Sequence, residues 1–198
     1  MFRLIETIRL SDGQFNNLNY HEQRMHRAMR QIFGVDKTVN LGTLLDQYPR
    51  PTSGLHKCRL LYNNKRHEVE FIPYAMRSAH WLKIVHDDAI SYDHKFEDRK
   101  EIESNFMKRD DCDDVLIIKK GAVTDTSQAN IVFRRKDEWI TPASFLLPGT
   151  MRQNLLDNRK IVEEEIHLDG LSGFDSFKLV NAMLMFDGPE RSIQNIVL

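Results

Sequence analysis

Residues 2–10 alternate, with Phe2, Leu4, Ile8 and Leu10 facing one way and Arg3, Ile5, Thr7 and Arg9 the other. That period of two predicts a half-buried strand. Asp12-Gly13 is a hairpin-turn pair, with Phe15 and Leu18 beyond it. Met25, Ala28, Met29, Ile32 and Phe33 then form one stripe at helical spacing. Asn19 suits the start of that helix and Gly34 its end. A second helix is expected over 38–47, followed by a loop with two prolines from Tyr48 to Gly54. Strands at Lys57–Tyr62 and Glu68–Pro73 flank the polar turn Asn63-Asn64-Lys65-Arg66.

Tyr74–His80 is the best boundary, dividing the chain into a small N-terminal domain, 1–77, and a larger C-terminal one, 78–198. A strand at 81–86 and an irregular piece to His94 precede a helix from about Phe96 to Arg109. Asp110 to Asp114 reads as an acidic loop. Strands are expected at 115–119, 129–135 and Glu138–Ile140, then a loop from Pro142 to Gly149. A helix from Thr150 to about Ile161, strands at 162–168 and 177–182, and a last strand at 192–197 complete the chain. Strands and helices mix in both halves, so the class is α+β or α/β.

Composition narrows the setting. Of 198 residues 41% are apolar and 29% charged, as in an ordinary globular chain. A net charge of −1 gives no basic excess for nucleic acid. The two cysteines, Cys58 and Cys112, form no CxxC pair, which argues against a disulfide scaffold and a thiolate zinc site. The opening MFRLIETIRL lacks a signal-peptide core, and no apolar run approaches the roughly 18 residues of a membrane span. A soluble cytoplasmic protein acting on a small molecule, without a metal, is the expectation.

Four pieces of the sequence bear chemistry. Lys95, in SYDHKFEDR, reads by itself as a surface lysine; a lysine that bonds to a carbonyl group must be partly buried. In GAVTDTSQANIVF, 121–133, Thr124, Ser127 and Asn130 suit local backbone bonds, and Asp125 suits either a turn or a protonated ring nitrogen. LLPGTMRQNLL, 146–156, places Pro148-Gly149 before a helix, where backbone N–H groups and the helix dipole favour phosphate. HEQR, 21–24, sets Arg24 at the edge of the buried stripe, either solvated or turned inward toward a phosphate.

In this order and spacing the pieces resemble the class IV aminotransferases, the fold-type-IV pyridoxal-phosphate enzymes. ETIRL…DG…F.NL..H..RM resembles the opening of that family's small domain. The resemblance implies a two-domain α+β fold, shortened at its N-terminus by the absence of a hairpin usual in the family. It implies pyridoxal 5'-phosphate as cofactor, Lys95 as the lysine that carries it, Arg24 on its phosphate and Asp125 in place of the usual glutamate of T-E-x-S-x-x-N. LLPGTMR is similar to the phosphate loop LPGITR, so Gly149, Thr150 and Met151 belong there, with Asn181 and Ala182 of VNAML on the same side. GTMRQ and VNAML further resemble GIMRQ and CNALM of aminodeoxychorismate lyases, in which a threonine matching Thr7 stands beside the lysine. The implied reaction converts 4-amino-4-deoxychorismate to 4-aminobenzoate and pyruvate, as in folate biosynthesis. An aminotransferase acting on D-amino or branched-chain acids is the alternative, and a non-catalytic cofactor-binding homologue a further one. Arg9 and Arg59 are the candidate partners for substrate carboxylates; the alternation around KCRLLY leaves the facing of Arg59 open. The resemblance also implies a homodimer.

Overall fold

The structure, a computed structural model, describes residues 3–36, 39–77 and 79–198, so Phe2 of the first strand and Thr38 of the second helix lie outside the described residues. The chain forms two compact units, one of Met1–Met76 with His94–Asp98, the other of Arg77–Asp93 with Arg99–Leu198. A single cut near residue 77 would assign Lys95 to the second unit; the contacts place it in the first.

The first unit is an antiparallel sheet backed by helices. Strand β1 (Leu4–Ser11) turns at Asp12 and Gly13, both with positive φ as a tight hairpin turn needs, into β2 (Gln14–Phe15). β3 (Leu55–Tyr62) and β4 (His67–Pro73) complete the order β2-β1-β3-β4. Helix α1 (Leu18–Phe33) starts after Asn17, which takes a left-handed conformation, rather than at Asn19; it ends at Gly34 with φ 63°, as glycine permits. Helix α2 is one short turn, Leu41–Leu45, capped by the Asn40 side chain on the Thr43 N–H. Leu4, Ile8, Met25, Leu41, Cys58 and Leu60 share one apolar core.

In the second unit, β5 (Leu82–His86), β6 (Asp114–Lys119) and β7 (Ala122–Thr126) join the late strand β13 (Ile196–Val197) in the order β13-β5-β6-β7. A second sheet runs β10-β9-β8-β11-β12, from β8 (Asn130–Arg135), β9 (Glu138–Pro142), β10 (Val162–Glu164), β11 (Ser176–Val180) and β12 (Arg191–Ser192). Leu116, Ile118, Ile131, Phe133, Phe177 and Leu179 form a core shared by strands of both sheets.

Several expectations are corrected. β7 occupies what reads as a turn and polar run; every one of its residues is buried, so no alternation marks it. Helix α3 covers only Lys100–Phe106, because Phe96 leaves the helical path to bridge Leu4 on β1. Helix α4 (Thr150–Asp157) stops short of Ile161 as Arg159 turns to φ 53°. Asp114 belongs to β6, and the strand expected over 162–168 ends at Glu164, with a 3-10 turn beginning at Leu168.

Candidate functional site

On the first unit, Lys95 lies in an extended segment laid along the start of β1. The Lys95 carbonyl accepts the Ile5 N–H at 2.9 Å, and the Glu97 N–H donates to the Arg3 carbonyl at 2.9 Å. Phe96, between them, packs into the apolar core. The Arg3 guanidinium grips the Glu97 carboxylate with two bonds of 2.6 and 2.8 Å. Backbone and side chains thus hold Lys95 half-buried.

Glu6 falls in the apolar phase of β1 and is fully buried. Its carboxylate accepts from Arg24 Nε at 3.0 Å, Arg24 Nη2 at 2.5 Å and His21 Nδ1 at 2.6 Å. Burial opposes the charge on Glu6, but Arg24 and the His21 bond outweigh it and hold the carboxyl down at about 2. His21 is lowered from its ordinary value, by burial first, with the positive charges of Arg24 and Lys95 adding to the effect against the opposing pull of Glu6. The Lys95 ammonium is therefore within electrostatic reach of the cluster. Glu6 is the member of the cluster that the sequence pattern does not single out; it occupies a position where alternation demands an apolar side chain, and that misfit is its signal.

The other face of β1 carries Thr7 and Arg9, both half-buried. Thr7 pairs in register with Arg59, and Arg9 with Lys57, so Arg59 shares the face of Thr7, while Cys58 and Leu60 point to the core. The Arg59 guanidinium lies 3.5 Å from Glu97 and 3.8 Å from Glu70, so its charge is already balanced. Arg9 Nη1 reaches Met76 Sδ at 3.9 Å.

On the second unit, Asp125 is buried in β7. One oxygen accepts Asn130 Nδ2 at 2.8 Å; the other accepts the N–H groups of Leu146 and Leu147, each at 2.9 Å. Burial raises its carboxyl to about 6, against the lowering effect of those bonds and of Arg152. A carboxylate offers about four acceptor positions, so three donors leave room for a further one. Asn130 also donates to the Leu147 carbonyl at 3.0 Å, and its oxygen would lie 1.8 Å from a Cβ placed on Gly149. Any side chain at the position that opens α4 would have to displace the Asn130 amide from these bonds.

Gly149 supplies no side-chain cap to α4, and Thr150 and Met151, its first residues, are buried. Arg152 stacks on Phe145, donates to the Pro142 carbonyl at 2.9 Å and pairs with Glu163. Asn181 donates to the Gln128 carbonyl at 3.1 Å and accepts from the Met183 and Leu184 N–H groups, while Ala182 is half-buried. Thr124 bonds to the Ile117 carbonyl and Ser127 to Asp114. The structure thus gathers Lys95, Arg24, Thr7, Arg9 and Arg59 on one unit, and Asp125, Gly149, Thr150, Met151, Asn181 and Ala182 on the other. Among the described residues no group of His, Cys, Asp and Glu side chains is arranged to hold a metal, and no helix is long and apolar enough to cross a membrane.

The family described as amino-transferase class IV matches residues 98–186, which include Asp125 and the start of α4. A protein of no assigned function from Haemophilus influenzae is 37% identical over 92% of this chain and 98% of its own. A crystal structure from Haemophilus somnus 129PT, provisionally named a 4-amino-4-deoxychorismate lyase, is 34% identical, with a TM-score of 0.87 over 92% of this chain and 97% of that one. A hypothetical aminotransferase from Mycobacterium tuberculosis, solved with pyridoxal phosphate bound, shares the fold at 16% identity, with a TM-score of 0.74 over 92% of this chain and 78% of its own. The chain belongs to the class IV amino-transferase family, whose fold-type-IV members are pyridoxal-phosphate dependent.

Proposed function

We propose that this protein is a pyridoxal-phosphate-dependent lyase of the aminodeoxychorismate type, with Lys95 as the lysine that bonds to the cofactor. The observation that carries the reading is the setting of Lys95: half-buried, stitched to β1 on both sides, and within electrostatic reach of His21 in the Glu6–His21–Arg24 cluster. The residues fit the group. Glycine is enforced by contact at the N-terminus of α4, which suits a phosphate. Asp125 retains an acceptor position for a protonated ring nitrogen. When bound, the cofactor supplies an electron sink for a carbanion.

The chain's own residues do the rest. Glu6 fixes the orientation of the Arg24 guanidinium, the cation proposed to meet the phosphate. Asp125, held by Asn130 and two backbone N–H groups, keeps a ring nitrogen protonated. Lys95, once its amine is free, removes the proton from the amine-bearing carbon of the substrate. Thr7 stands on the sheet face shared with Arg9 and Arg59; with Arg59 balanced by Glu97 and Glu70, Arg9 is the cation of that face proposed to meet a substrate carboxylate. The lyase assignment rests on GTMRQ, VNAML and Thr7, and is supported by the provisional name of the Haemophilus somnus relative. An aminotransferase is the second reading, favoured by the family match itself. Two copies of the chain are proposed to form the working dimer.

Purified protein mixed with pyridoxal phosphate is expected to gain a visible band, and borohydride reduction followed by peptide mapping to label Lys95. A label on another lysine overturns the assignment. With 4-amino-4-deoxychorismate, release of 4-aminobenzoate and pyruvate supports the lyase. Conversion of the cofactor to its amine form by an amino donor, without pyruvate release, supports the aminotransferase.

A further inference from the structure

Arg99 has no role in the site described above. It lies just before α3 in the second unit and is half-buried. Its Nη2 donates to the Ser127 carbonyl at 2.6 Å, and its Nε is shut away from solvent with no acceptor among the described residues. A guanidinium carries five N–H donors, and among the described residues its one acceptor is a neutral carbonyl.

Four other guanidiniums are balanced by carboxylates. Arg24 is neutralised by Glu6, Arg3 by Glu97, Arg59 by Glu97 and Glu70, and Arg152 by Glu163. Arg99 has no carboxylate at ion-pair distance among the described residues. A half-buried charge without a counter-charge is costly, and an anionic ligand would relieve it. Its location is specific. Ser127 lies two residues beyond Asp125, and the next carbonyl, that of Gln128, receives Asn181. The turn that follows the candidate ring-nitrogen carboxylate therefore holds an uncompensated planar fork. Such a fork matches a planar carboxylate with two parallel bonds. Phosphate already has a suitable place in the second unit, the N-terminus of α4.

We infer that Arg99 is a substrate-binding residue that recognises a carboxylate of the substrate, braced for the task by the Ser127 carbonyl. The inference rests on the proposed reading that the chain acts on an amino-acid-like substrate, and it adds a specificity contact to the same site.

The test uses the full chain, with and without added pyridoxal phosphate. Pyruvate and succinate serve as carboxylate probes, read by calorimetry, and cofactor affinity is read by absorbance with both pyridoxal phosphate and pyridoxal. Arg99→Gln keeps an N–H donor for Ser127, so its fold should survive; a melting curve checks this, and Arg99→Lys restores the charge. Carboxylate affinity is expected to fall by about 10- to 100-fold in Arg99→Gln, the scale of a charged hydrogen bond, with partial recovery in Arg99→Lys. Pyridoxal-phosphate affinity should stay within about twofold. A loss confined to pyridoxal phosphate, absent with pyridoxal, makes Arg99 a phosphate ligand and overturns the inference. Equal carboxylate affinity in parent and variant, or no carboxylate binding by the parent, overturns it too. If the parent takes up no cofactor yet its carboxylate binding still depends on Arg99, the cofactor reading fails and the inference stands.

Discussion

Glu6 accepts three hydrogen bonds from Arg24 and His21, whereas Asp125 accepts three from neutral donors. That difference gives two buried carboxylates opposite responses to pH. Glu6 titrates at about 2 in the fold, below its ordinary 4.5. Its stabilising contribution is present above pH 4.5 and is lost as pH falls toward 2. Asp125 titrates at about 6, above its ordinary 3.8. Between those values the native state holds the proton more tightly than the unfolded chain, so ionised Asp125 weakens the fold at neutral pH. A ring cation would supply the missing counter-charge. Affinity for pyridoxal phosphate should therefore fall as pH is lowered from about 7 to 5, by up to about tenfold one unit below the carboxyl's value. Asp125→Asn should remove that component of the slope. The phosphate titrates in the same range in both proteins, so the difference between the two slopes is the quantity to measure. Equal slopes would mean that Asp125 only braces the 145–147 turn.

Elements were legible where one face of the chain is buried and the other wet. β1 and α1 follow their periodicities, and Gly34 ends the helix as its freedom allows. Legibility failed where tertiary contact overrides local pattern. The charged run after Lys95 has helical character, yet the pairing of Phe96 with Leu4 delays α3 to Lys100. β7 is buried on both faces, so its strand character was hidden and Asp125 looked like a turn residue. The Pro-Gly before α4 was recognisable, but not the reason for glycine, which is the approach of Asn130. Gly149 has an ordinary φ of −68°, so the constraint is steric and not one of backbone conformation. Gly149→Ala should push the Asn130 amide out of place and break its bonds to Asp125 and Leu147. A loss of about 2–4 kcal/mol is expected from overpacking and broken buried hydrogen bonds together. Asn130→Ala should cost less, and the double variant should be more stable than the sum of the two changes predicts, because the clash is removed. Denaturant unfolding of the four proteins measures this; simple additivity would show that the Asn130–Gly149 contact is relaxed in solution.

At the scale of the whole molecule, the chain path and the packing disagree about where Lys95 belongs. The segment His94–Asp98 is flanked on both sides by sequence of the second unit but packs with the first. Three independent ties hold it there: the backbone bonds to Ile5 and Arg3, the Phe96 side chain in the core, and the Arg3–Glu97 ion pair. None of these survives a cut at the boundary expected within Tyr74–His80. A fragment of residues 1–77 lacks Phe96 from its core, and a fragment of residues 78–198 keeps Lys95 without the strand that orders it. Such boundaries usually fall where few contacts cross, and here one short segment crosses back. Expressed alone, fragment 78–198 is expected to give no selective borohydride label at Lys95 over its other lysines. Fragment 1–77 should unfold at a lower denaturant concentration than the same fragment to which a His94–Asp98 peptide is joined by a flexible linker. Selective labelling of Lys95 in isolated 78–198 would mean that the β1 pairing is dispensable, and that the lysine's reactivity is set within the second unit alone.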